Sequence, residues 1–142
     1  MRSRVSSACA LLVAVVATTQ PCLTQANNSR ELRVEMVNGE SRITISDNVR
    51  GARSLDYRFG IGSGQHAIVT FDTDHPGNHF DLAAPGRPGE AFFVGSRDGD
   101  RFEGDLTEAG NYTIHVYLTA DAAQRNDAAH FTIQVHMTPT GP

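Results

Sequence analysis

Two runs of alternating apolar and polar residues, joined by a polar, Ala-rich connection, constrain this chain more than any other feature. In the first, Tyr112, Ile114, Val116 and Leu118 alternate with Thr113, His115 and Tyr117. In the second, Phe131, Ile133 and Val135 alternate with Thr132 and Gln134. Side chains two apart share one face of a strand, so each run buries one face and wets the other. The turn residues Glu108, Ala109, Gly110 and Asn111 open the first run. The two runs read as an antiparallel pair closing an all-β domain. Their connection, residues 119–129, is too long for a tight hairpin, and connections of that length often carry function. One short helix is expected inside it, over residues 121–126.

The same alternation recurs upstream. Leu32, Val34 and Met36 suggest a first strand, and Ile43 to Ile45 a second after the Asn38-Gly39 turn, a strong hairpin signal. Tyr57, Phe59 and Ile61 mark a third. The Gly62-Ser63-Gly64 turn leads to Ala67, Val69 and Phe71 on one face of the next strand. Phe80 and Leu82, then Phe92 to Val94, then Phe102 to Leu106 complete the set, with a turn over residues 96–100. No long helical period appears. About eight short strands with turns every 8–12 residues describe either a small antiparallel β-sandwich or a closed barrel.

The first 26 residues read as a signal peptide. Arg2 and Arg4 precede an apolar stretch, Ala8 to Ala17, that is too short to span a bilayer, and Ala26 suits cleavage. Residues 27–142 then form a single domain. Both cysteines, Cys9 and Cys22, fall in the leader, so the mature chain would have no disulfide and would rest on its core alone. All twelve basic residues are arginine, and removing Arg2 and Arg4 leaves ten against sixteen acidic residues. That balance argues against nucleic acid as a partner, since nucleic-acid binding needs a basic footprint. It suits a cationic partner or solubility alone. No membrane span is expected after processing, and the oligomeric state is left open.

The most metal-like stretch is residues 71–81. Asp72, Asp74 and Asp81 are calcium candidates, and His75 with His79 are zinc candidates. The spacing fits no known ligand pattern, and Asp and Asn are ordinary turn residues, so a solvated loop is expected and no cofactor is assigned. His115, His130 and His136 take the outward parity of the last two strands, with His115 and His136 near neighbours if those strands pair. Glu103 and Asp105 share a parity and read as a solvated strand face rather than an acid/base pair. The mature chain has neither lysine nor cysteine, and no Gly-x-Ser-x-Gly elbow. No enzymatic activity is expected.

Val37-Asn38-Gly39, Tyr57-Arg58-Phe59, residues 64–69, Asn78-His79-Phe80-Asp81 with Gly86, and residues 91–102 follow one pattern. Ala109-Gly110-Asn111-Tyr112, Val116-Tyr117-Leu118, residues 122–126 and Phe131-Thr132-Ile133 complete it. In these residues the chain resembles the periplasmic inhibitors of goose-type lysozyme, a family of small secreted β-sandwich proteins. The resemblance implies a secreted protein that binds a lysozyme and blocks its cleft with turns from one end of the sandwich. It implies contacts at Ala109, Gly110, Asn111, Tyr112, Asp121, Gln124 and Arg125, with Arg125 leading. Ala109 stands where that family has serine, and Ala120 and Gln124 stand where relatives often carry arginine. The order of the aromatic strands and the Gly-x-Tyr element also resembles prepeptidase C-terminal domains, which implies a non-catalytic accessory module binding glycan, protein or calcium. In that comparison Tyr112 packs inward, as its parity with Ile114 and Val116 also indicates.

Overall fold

A computed structural model describes the backbone of residues 29–32, 36–37, 40–62 and 64–141, and the side chains from residue 41 onward within them. Ten strands build two five-stranded sheets packed face to face. The first sheet holds β1 (Ser29–Leu32), β4 (Leu55–Ile61), β9 (Gly110–Leu118), β6 (Asn78–Ala83) and β7 (Ala91–Val94), in that spatial order. The second holds β2 (Met36–Val37), β3 (Glu40–Arg50), β10 (Ala128–Pro139), β5 (Gln65–Thr73) and β8 (Arg101–Leu106). All pairings are antiparallel except β1 with β4, which is parallel. The described residues also form two short helices, α1 (Gly95–Asp98) and α2 (Ala120–Gln124). Of the sandwich and the barrel that alternation left open, the fold observed is the small all-β sandwich that the family resemblance implied.

Three local expectations are corrected. The two C-terminal runs do not pair. β9 is the central strand of one sheet, flanked by β4 and β6, and β10 is the central strand of the other, flanked by β3 and β5. Alternation fixes which face a strand buries but not which strand lies beside it, and the intervening connection crosses from one layer to the other. The strand expected through Leu32, Val34 and Met36 is two strands in different sheets, and Val34 lies outside the described residues. The turn expected over residues 96–100 contains most of α1. The Asn38-Gly39 turn, Ser63 and the leader also lie outside the described residues.

The inward faces form one core. Tyr57, Phe59, Val69, Phe80, Ile114, Val116, Phe131, Ile133 and Val135 are all essentially inaccessible to solvent. Aromatic rings meet across and within the layers: Phe71 leans on Phe80 of the opposite sheet at 5.2 Å and Tyr57 meets Phe131 at 6.3 Å, while Phe71 stacks on Phe131 at 5.7 Å and Phe80 meets Phe93 at 5.2 Å within their own sheets. Offset and edge contacts of this kind add to the stabilisation that burial already gives. Truncating a buried Phe or Ile in such a core costs about 2–5 kcal/mol. A scaffold held this way keeps its end turns in fixed relative positions.

Candidate functional site at the ends of the sandwich

The pairing registers sort the turns into two ends. Ile61 pairs with Gly110, and Gln65 with both Leu106 and Pro139. Residues 62, 64, 84–90 and 107–109 therefore share one end. At the other, Ala128 pairs with Arg50, Thr73 with Phe131 and Leu118 with Asn78, which brings together residues 51–54, 74–77 and 119–127. β9 runs between the two ends, and nine residues of strand span roughly 26 Å. The residues singled out from the sequence consequently fall into two groups. Ala109, Gly110, Asn111 and Tyr112 lie at the first end. Asp121, Gln124 and Arg125 lie at the second. One approach along the sandwich axis cannot use both.

At the first end, Tyr112 is buried, 3% exposed. Its hydroxyl donates to the Glu108 carbonyl at 3.1 Å and accepts from the Glu108 N–H at 3.3 Å, which pins the turn before β9. Its ring stacks on Phe59 at 5.9 Å. Gly110 has φ +131°, and a Cβ there would come within 2.9 Å of Pro85, so only glycine fits. Ala109 and Asn111 are exposed beside it. An open cleft of about 340 Å³ adjoins this corner, with Phe92, Leu106 and Tyr112 on its walls and the Arg87–Glu108 ion pair at its edge.

At the second end, the connection after β9 folds as α2 followed by a tight exit. The Ala123 N–H donates to the Thr119 carbonyl at 2.9 Å, and the Asp127 N–H donates to the Ala122 carbonyl at 3.0 Å. Ala122 is fully buried and seals the end of the core. Asn126 takes the left-handed conformation, φ 57°, which Asn tolerates better than most residues. Two backbone bonds moor the loop: Thr119 N–H to the Gly77 carbonyl at 2.8 Å, and Gly51 N–H to the Asp127 carbonyl at 2.9 Å. Asp127 accepts from Arg125 Nε at 3.1 Å, Arg125 Nη2 at 2.8 Å and His75 Nε2 at 3.2 Å. The Arg125 guanidinium, with His75 assisting, lowers the Asp127 pKa below the usual carboxylate value. His75 Nδ1 accepts the Gly77 N–H at 3.0 Å, which leaves Nε2 as the nitrogen that donates to Asp127. Arg125 stays 61% exposed at its side chain, so Asp127 orients it without burying it. Asp121 and Gln124 are exposed on the same loop.

The other candidates are dispersed. Asp72 lies on the outer face of β5, and Asp74 accepts the His130 N–H at 2.8 Å. Asp81 is in the opposite sheet and accepts from the Gly95 N–H and the Tyr117 hydroxyl, both at 3.2 Å. His75 faces Asp127, whereas the His79 ring lies against Tyr117. Among the described residues no group of three His, Cys, Asp or Glu side chains is placed to hold a metal ion. His115 and His136 are on different sheets, which corrects their expected proximity; His115 instead meets Asp56 at 2.5 Å. Glu103 and Asp105 share the outer face of β8 with His66 against both, at 3.7 and 2.7 Å, and both carboxylates are at least half exposed. Arg50 and Arg53 went unread in the sequence. They flank the turn beside residues 125–127, and the Arg-Gly-Ala-Arg run between two apolar segments was the available signal.

No protein-family model matches the sequence, and no curated protein sequence matches it. Solved structures do. The chain is similar to Aeromonas hydrophila PliG, a periplasmic lysozyme inhibitor of g-type lysozyme, with a TM-score of 0.67 and 24% identity over 80% of this chain and 100% of that one. Salmonella Typhimurium PliG, described in the same terms, gives a TM-score of 0.56 at 19% identity over 78% of this chain and 98% of that one. A mutant of the Escherichia coli g-type lysozyme inhibitor gives a TM-score of 0.56 at 18% identity over 80% of this chain and all of that one. At these identities the likeness is one of fold.

Proposed function

We propose that this protein is a secreted, periplasmic inhibitor that binds a g-type lysozyme and occludes its active-site cleft without performing chemistry itself. The observation that carries the reading is the end-to-end likeness to three solved inhibitors of g-type lysozyme, each covered over essentially its whole length. The motif resemblance to goose-type lysozyme inhibitors, drawn from the sequence independently of that likeness, supports it further. The signal-peptide reading of residues 1–26 gives the route to the periplasm.

The contact surface we assign is the end carrying residues 119–127. Arg125 leads it. Two of its five N–H donors are used by Asp127, and the remaining three face no acceptor among the described residues. A guanidinium held this way meets a carboxylate in fork geometry with less ordering cost than a free side chain. Asp121 and Gln124 supply flanking polar contacts. The corner at Ala109 to Tyr112 serves as a structural clamp on the opposite end. Occlusion needs only a rigid body wedged into the cleft, and a standard interface of about 1,200–2,000 Å² would suffice.

A muramidase assay with the mature protein tests this. Goose-type lysozyme should be inhibited at near-equimolar protein. Absence of both inhibition and binding would sink the reading. Arg125→Ala should weaken binding by about 1–3 kcal/mol if its partner carboxylate is desolvated, and an unchanged Kd would remove Arg125 from the surface.

A further inference from the structure

We infer that Arg50 and Arg53, which flank the β3–β4 turn, are a second cationic contact element adjoining the 119–127 loop, shaped to receive carboxylates of the partner. The inference rests on the inhibitor reading above and adds the chemistry of the surface it meets.

The turn and the loop form one continuous surface. The Gly51 N–H donates to the Asp127 carbonyl at 2.9 Å, and Gly51 holds φ +59°. A Cβ on Gly51 would lie 2.7 Å from Asn126 Oδ1, so the turn backbone packs against the Asn126 side chain. Arg50 faces Ala128 across the β3–β10 ladder, and the Arg53 N–H closes the turn on the Arg50 carbonyl at 3.2 Å. Both arginines are exposed.

Their guanidinium groups are also uncommitted. Arg87, Arg97, Arg101 and Arg125 each hold a carboxylate, on Glu108, Asp98, Glu103 and Asp127. Arg50 and Arg53 have no such partner among the described residues. The carboxylates at this end are already engaged: Asp127 with Arg125 and His75, Asp74 with the His130 N–H, and Asp47 with the Tyr57 hydroxyl at 2.8 Å. Asp121 is the exposed exception. The end as a whole is not basic, so recognition here would rest on local guanidinium forks rather than on a net positive field. Two unpaired guanidinium groups on an acidic protein, beside a third that a carboxylate orients, match an acidic recess better than an apolar or basic one.

The test compares binding of purified g-type lysozyme by the native protein, Arg50→Ala/Arg53→Ala, Arg50→Lys/Arg53→Lys, and Arg42→Ala on the outer face of the second sheet as a distant control. Melting temperature confirms folding in each. The alanine pair should raise Kd at least tenfold and reduce the ionic-strength dependence of the association rate. The lysine pair should fall between it and the native protein, because charge is kept and the fork is lost. Arg42→Ala should stay within twofold. A folded alanine pair whose Kd stays within twofold of native would overturn the inference and leave the inhibitor reading standing. An equal loss in Arg42→Ala would also overturn it, by revealing a diffuse charge effect. A native protein that binds no g-type lysozyme would remove both.

Discussion

Tyr112 lies near one end of the core strand β9 and Arg125 beyond the other, the first buried and the second exposed. The inward parity of Tyr112 was legible in the sequence, since it shares a face with Ile114 and Val116. The hydroxyl's return to the Glu108 backbone was not, because that depends on how the preceding turn folds. Tyr112→Phe keeps the ring and removes two hydrogen bonds, so urea unfolding should show a loss of about 1 kcal/mol. The His75–Asp127 contact joins residues 52 apart in sequence and follows only from the packing of two turns. His66 behaves differently. Its hydrogen bond with Asp105, with Glu103 adding, raises its pKa above 6.5. A raised histidine pKa contributes stability that is complete below the unfolded value and is lost as pH rises through the folded one. NMR titration should find His66 titrating above a free histidine, and Asp105→Asn should bring it back down. No change in that variant would contradict the pairing.

At the scale of elements, the sequence was clearest about strands and least clear about their neighbours. Period-2 alternation located nearly every strand and told inside from outside. It paired β9 with β10 wrongly because parity carries no information about which edge a strand joins, and the sandwich places the two in different layers. The α2 helix was legible within one residue of its start, over a stretch with few β-branched residues. The α1 turn was hidden by its shortness. It depends on Gly95, where a Cβ would collide with the Phe80 carbonyl oxygen and approach Phe80 N at 3.1 Å. Gly95→Ala must push α1 off β6, and a loss of about 1–3 kcal/mol is expected from thermal or urea unfolding. Asn126 sets the exit of the 119–127 loop. Asn126→Gly should leave stability nearly unchanged, whereas Asn126→Val should cost about 1–2 kcal/mol for its left-handed backbone.

For the whole molecule, turn spacing and alternation showed an all-β sandwich or barrel, and the family resemblance chose the sandwich. What escaped was the geometry of the site: two candidate segments expected to act from one end of the sandwich lie at opposite ends, because a nine-residue strand separates them. The absence of cysteine after residue 22 makes a further prediction about the mature chain. Reductant should leave its melting temperature unchanged. So should EDTA followed by calcium or zinc, since a bound ion at a hundredfold excess over Kd would add about 2.7 kcal/mol. A calcium-dependent rise abolished by Asp72→Asn/Asp74→Asn would instead favour an ion-binding accessory module.

The central claim is that one end of the sandwich, not the other, meets the lysozyme. Amide hydrogen exchange of the mature protein, alone and with goose-type lysozyme, measures this directly. Residues 119–127 and 50–54 should gain protection in the complex, while residues 107–111 exchange as before. Protection centred on residues 107–111, or none anywhere, would contradict it.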